Sequence, residues 1–175
     1  MNKRTFLKVM AGAVTLPTAT LGYRSILAAG DTESSTMAVS ETGEIQITKI
    51  ELSDAQWKEK LTPMQYKVLR KDGTERPFTS ELNDEKRAGT FACAGCDLPL
   101  FNSDAKYDSG TGWPSFYDAI PNHIGTSTDF KLILPRTEYH CARCGGHQGH
   151  VFKDGPQPTG LRYCNNGVAL KFLPA

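Results

Sequence analysis

Five cysteines fall into two C-x-x-C pairs, Cys93/Cys96 and Cys141/Cys144, with a fifth thiol, Cys164, apart from them. Two residues between thiols let a tight turn present both sulfurs to one ion, and two such turns complete a tetrahedral zinc site. Glycine stands in both knuckles, at Gly95 and at Gly145-Gly146, where the backbone must turn sharply towards the metal. The spacing predicts one structural Zn2+ held by Cys93, Cys96, Cys141 and Cys144, with no position left open for water or substrate. The competing reading is a pair of disulfides or a redox C-x-x-C, which an oxidising compartment would favour. With zinc bound, any chemistry falls to the fifth thiol.

Cys164 lies in Arg162-Tyr163-Cys164-Asn165-Asn166, and a nearby guanidinium favours the nucleophilic thiolate over the thiol. Upstream, Gly145-Gly146-His147-Gln148-Gly149-His150-Val151-Phe152 sets two imidazoles three residues apart. Such a pair could bind a second ion or sit in a polar turn, but Cys with His and Asn also makes a nucleophile, a proton donor and an orienting hydrogen bond. A third segment, Asp108-Ser109-Gly110-Thr111-Gly112-Trp113-Pro114-Ser115-Phe116, has glycines that permit close backbone approach. Its Trp113 and Phe116 could wall an apolar pocket, or simply pack.

The elements that must carry these residues can be read coarsely. Ser53 with Gln56, and Thr62 with Pro63 and Gln65, predict two short helix starts, the second helix ending near Gly73. Beyond Thr90 the runs Thr90–Ala92, Phe130–Leu134, Glu138–His140, Val151–Lys153 and Val168–Leu173 alternate with Gly, Pro, Asn and Asp, which predicts antiparallel strands. Asp154-Gly155-Pro156-Gln157-Pro158-Thr159-Gly160 must be a rigid loop or turn that delivers the chain to Cys164.

With 175 residues and a formal charge of +1, the chain has one domain's length and no clustered basic excess of the kind nucleic-acid binding requires. It has no apolar run long enough for a stable membrane span. Residues 1–30, with Lys3, Arg4 and Lys8 before an apolar stretch and Ala28-Ala29-Gly30 after it, predict an export signal and a periplasmic destination. Arg4-Thr5-Phe6-Leu7-Lys8 resembles the twin-arginine signal, with Lys3 where the first arginine stands. An amphipathic N-terminal helix is the alternative and would leave the chain in the cytoplasm. Residues 31–44 are too polar to order themselves and predict a spacer, leaving 45–175 as the folded domain.

The Gly-Trp-Pro-Ser-Phe loop ending at Phe116, the stretch His147 to Pro156, Pro158 to Cys164 and both knuckles together resemble the B-type methionine sulfoxide reductases, the peptide-methionine (R)-S-oxide reductases. The resemblance runs from about Ser53 to Leu173. It implies a mainly β fold of two antiparallel sheets with short N-terminal helices, and a monomer that reduces the R epimer of methionine sulfoxide in proteins and peptides. In that family pattern Cys164 is the nucleophile, His147 and His150 activate and protonate the oxygen, and Asn166 hydrogen-bonds within the site. Trp113 receives the substrate methyl group, and Phe116 and Arg162 are expected beside it. A Cys164 sulfenic acid would result. Many members carry a resolving cysteine where this chain has Thr111, so either a zinc ligand is recruited or, the favoured reading because losing a ligand would loosen the fold each turnover, a thioredoxin-like external thiol reduces the sulfenic acid. The chain also departs at Asn165-Asn166-Gly167-Val168-Ala169-Leu170, where an apolar residue, asparagine and then Ser-Ala-Ser-Leu are more usual.

Overall fold

The computed structural model describes residues 38–39, 45–131 and 134–175. The expected export signal lies outside them, as does the expected spacer except for Ala38–Val39. That dipeptide, β1, pairs antiparallel with β2, Ile45–Gln46.

Both predicted helix starts are capping boxes. Ser53 Oγ accepts from the Gln56 amide at 3.3 Å and Gln56 Oε1 from the Ser53 amide at 2.8 Å, opening α1, Asp54–Lys60. Thr62 and Gln65 do the same at 3.3 and 3.1 Å for α2, Pro63–Lys71, with proline in the first turn where no backbone donor is needed. The residue that turns left-handed at the end of α2 is Asp72, with φ 47°, and not the expected Gly73. Gly73 serves another purpose: its amide bonds Lys67 O at 3.0 Å, and a Cβ there would stand 2.8 Å from that oxygen. The helices bury Trp57, Val68 and Leu69.

Nine further strands follow: β3 Gly89–Cys93, β4 Pro99–Asn102, β5 Lys106–Tyr107, β6 Ser115–Phe116, β7 Ile124–Asp129, β8 Arg136–Cys141, β9 His147–Phe152, β10 Arg162–Asn165 and β11 Leu170–Pro174. They form a six-stranded sheet in the order β5-β6-β10-β9-β8-β7 and a three-stranded sheet β11-β3-β4, every pairing antiparallel. The expected strand over Phe130–Leu134 is not found at its described residues: Asp129 already pairs with Arg136, and Phe130 and Leu134 stand exposed outside the strands. The true strand, β7, is a mostly polar edge strand whose Gly125-Thr126-Ser127-Thr128 carries no apolar alternation.

Aromatic rings fill the space between the two large sheets. Phe101 stacks on Phe116 at 4.2 Å between centroids, Phe91 meets Phe116 edge-on at 5.0 Å, and Tyr139 meets Tyr163 at 5.4 Å. Phe91, Phe101, Phe116 and Tyr139 are all fully buried, so the sheet that carries Cys164 has a rigid floor.

Candidate active site

Residues directly opposite in neighbouring strands point to the same face of a sheet. On the face away from the aromatic core, the register gives one row across all six strands: Ser127, Glu138, His150, Cys164, Ser115 and Tyr107. Cys164 and His150 are therefore positioned by adjacent strands, β10 and β9, rather than by loops. Gly149, next to His150, keeps those strands together, since a Cβ there would lie 1.9 Å from Cys164 O.

Above the row is a cavity of about 130 Å³ whose lining includes Cys164, His150, Trp113, Phe152, Arg136 and Asn166. His150, Arg136 and Thr74 also line a wider cavity of about 500 Å³ containing His147. The two imidazoles are 5.5 Å apart between centroids. Trp113 is fixed by its indole N–H, which donates to Glu75 O at 3.2 Å. Phe116, expected in the substrate wall, is placed in the core instead: it follows Ser115, so alternation along β6 turns it to the opposite face. Phe152, one strand over from Arg162, takes the place beside Trp113.

Arg162 donates to both oxygens of Asp154, at 2.9 and 2.8 Å, and lies over the Phe152 ring at 4.3 Å. Its charge is therefore largely compensated. Burial pushes the Cys164 thiol above its usual range, while Arg162 and hydrogen bonding from Thr111 pull only partly back. Burial therefore outweighs the guanidinium that the sequence pattern alone would credit.

His140, His147 and His150 are each backed by a carboxylate. An ionised carboxylate only accepts, so the ring N–H donates in each case. His147 Nδ1 donates to Glu138 Oε1 at 2.8 Å, and His140 Nδ1 to Glu138 Oε2 at 3.1 Å. His150 Nε2 donates to Asp129 Oδ2 at 2.7 Å, an oxygen that Arg136 also reaches at 2.6 Å. Burial pushes His150 below the usual imidazole range against the opposing pull of Asp129. Burial raises Glu138, but bonds from His140, His147 and Ser127 outweigh it and bring the carboxyl to about 2.

Asn166 is buried, and its amide clamps two backbones: Nδ2 donates to Gln148 O at 2.9 Å and Oδ1 accepts from Glu75 N at 3.0 Å. The Glu75 carboxylate in turn accepts from the amides of Gly167 and, at 3.1 Å, Val168. Glycine at 167 admits this approach, because a Cβ there would run into Ser80 Oγ. Glu75, Asp129, Arg136, Glu138 and Phe152 were not legible as site residues from motif spacing. Glu138 left one usable signal: it lies two residues from His140 in a strand whose Tyr139 is core, so Glu138 and His140 share the opposite face.

The four paired thiols converge at the other end of β8 and β9. All are buried, their sulfurs lie within 4.8 Å of one another, and Cys93–Cys144 and Cys96–Cys141 are 3.7 and 3.4 Å apart. A tetrahedron with zinc–sulfur bonds of about 2.3 Å has edges of about 3.8 Å. Mutual hydrogen bonding pushes Cys141 up and pulls Cys144 down. These residues could hold a metal ion. Their burial contrasts with half-buried Cys164 and runs against disulfide exchange at either C-x-x-C.

Residues 61–174 match the SelR domain family, a span that takes in both cysteine knuckles and both β9 and β10. Over 127 residues the chain is 54% identical to "Peptide methionine sulfoxide reductase MsrB" of Bradyrhizobium diazoefficiens, covering 72% of this chain and 91% of that one. The same-named protein of Pseudomonas putida is 55% identical over 127 residues, covering 72% and 96%. That of Methanosarcina mazei is 54% identical over 125 residues, covering 71% and 89%. The chain belongs to the MsrB family of peptide methionine sulfoxide reductases.

Proposed function

We propose that this chain reduces methionine sulfoxide in oxidised proteins and peptides to methionine, acting on the R epimer with Cys164 as nucleophile. The observation that carries the reading is the pairing of Cys164 with His150 across β10 and β9, both facing one small cavity. About 130 Å³ has room for roughly four water-sized groups, the bulk of a methylsulfinyl side-chain end. Trp113 and Phe152 offer that end an apolar wall.

A sulfoxide oxygen leaves only once protonated, so acid and nucleophile must approach from different sides. His150, and behind it His147, supply the proton relay, and the Cys164 thiol loses its proton as the oxygen gains one. In sum, the sulfoxide S–O bond breaks and an S–O bond forms on Cys164: the substrate sulfur is reduced by two electrons and Cys164 is oxidised to the sulfenic acid. Thr111 in place of a resolving cysteine, with the other four thiols buried together, supports regeneration by an external dithiol of the thioredoxin type, which becomes a disulfide and releases water.

For the four-thiol site we propose Zn2+, which sulfur-only ligands at tetrahedral separations favour. Bound by Cys93, Cys96, Cys141 and Cys144, it would cross-link the two knuckles and take no part in the reaction. Export to the periplasm is the reading of residues 1–30 that their charge and apolar pattern favour. Separate assays of the two sulfoxide epimers of a blocked methionine, with dithiothreitol as reductant, test the activity. Turnover of the R epimer alone, lost in Cys164→Ser, is expected; equal turnover of both epimers would contradict the assignment.

A further inference from the structure

Tyr107, at the end of the row running Cys164–Ser115–Tyr107, has a buried hydroxyl with no hydrogen-bond partner. Buried polar groups are rarely left so, because the loss of water goes uncompensated. Its ring stands on the same face of the sheet as Cys164, with only Ser115 of β6 between them in the row. Ser115, the residue between Tyr107 and Cys164, is small enough to leave the way open. A second hydroxyl comes from Thr111, linked through Ser109 to Ser115, the residue paired with Cys164. Thr111 is itself held: Ser109 Oγ lies 2.8 Å from Thr111 Oγ1 and 2.7 Å from Ser115 Oγ.

Resting on the reading that Cys164 becomes a sulfenic acid, we propose that the Tyr107 and Thr111 hydroxyls bind the oxygen of that acid and hold it until an external thiol arrives. Reduced Cys164 offers Tyr107 no oxygen, so its O–H stays unpartnered; the oxidised sulfur brings an acceptor to it. A sulfenic acid is lost either to a thiol or by further oxidation to the sulfinic acid. Here the first route waits on another molecule. Hydrogen bonds to the oxygen draw electron density from the sulfur and so slow its attack on peroxide, in which Cys–SOH and H2O2 give Cys–SO2H and water.

The test compares the wild-type chain, Tyr107→Phe and Thr111→Val. Each is converted to the sulfenic acid with a blocked methionine sulfoxide, or in a parallel arm with hydrogen peroxide alone, and the sulfinic acid at Cys164 is then followed by mass spectrometry under excess peroxide. Tyr107→Phe keeps the ring and removes only the donor, and is expected to form the sulfinic acid about tenfold faster, the factor that one hydrogen bond of ordinary strength supplies. Thr111→Val is expected to change in the same direction. Alkylation of the reduced thiol by iodoacetamide should be unaltered in Tyr107→Phe. Equal sulfinic acid formation in Tyr107→Phe and wild type, or alkylation accelerated by the same factor as a loosened fold would give, overturns the proposal. If the sulfoxide arm yields no sulfenic acid while the peroxide arm still separates the variants, the proposed function fails and the hydroxyl site stands.

Discussion

Burial sets the resting state of Cys164, and the charges around it correct that state only in part. Its thiol lies above the usual 9.0 because desolvation outweighs the pull of Arg162 and Thr111. Alkylation measured against pH should therefore have a midpoint above an ordinary thiol's, and Arg162→Leu should move it further up by removing a positive charge. A midpoint below the ordinary value in the wild type would show that Arg162 dominates after all. Glu138 titrates in the opposite sense. Its folded carboxyl, held to about 2 from 4.5, contributes stability that is complete above about pH 4.5 and is lost as pH falls towards 2. Melting temperatures taken down that range should fall less steeply in Glu138→Gln, whose neutral amide forgoes roughly 3 kcal/mol of this linkage. The same substitution frees His147 to turn, and activity should drop by about 100-fold, the lower end of what a misplaced acid costs. Motif spacing made Cys164, His147 and His150 legible because reactive residue types are rare. Glu138 and Asp129 were not, because what singles them out is a partner on another strand, and register is not written in local spacing.

At the scale of the elements, the departure from the family pattern at Asn165 has a partner across the sheet in Tyr139. Asn165, where an apolar residue is usual, is fully buried; its Oδ1 accepts from the Tyr139 hydroxyl at 2.6 Å and its Nδ2 donates to Asn166 O at 2.8 Å. Asn165→Val should cost about 1–3 kcal/mol in chemical denaturation by leaving a buried hydroxyl unpaired. Adding Tyr139→Phe should recover part of that loss, whereas additive losses would deny the coupling. Strand pairing gives a second test. Gly149→Ala forces β9 from β10, because the new methyl meets Cys164 O; overpacking of about 1–3 kcal/mol should come with loss of activity, as Cys164 and His150 are separated. Both helix starts were legible because a capping box is local chemistry. The strand β7 was not, since its outward polar side chains carry no burial pattern.

Across the molecule, the cysteine cluster and the strands that carry His150 and Cys164 are joined through one buried residue. Gln148 Nε2 donates to Cys93 Sγ at 3.4 Å, and the Gln148 carbonyl accepts from both the amide and the side chain of Asn166 at 2.9 Å. Removing the metal should therefore do more than loosen the knuckles. Dialysis against a strong chelator is expected to lower the melting temperature sharply and to abolish activity, with zinc restoring both; full activity in demonstrably metal-free protein would refute a structural role for the ion. All of this positioning serves the claim that Cys164 itself takes the oxygen, and a single turnover without reductant tests it most directly. Mixed with excess R-sulfoxide, the chain should release methionine in an amount equal to its own concentration, and mass spectrometry should find one added oxygen, trapped by a sulfenic-acid reagent, at Cys164. Methionine release undiminished in Cys164→Ser, or the oxidation appearing at the four paired cysteines instead, would contradict the account.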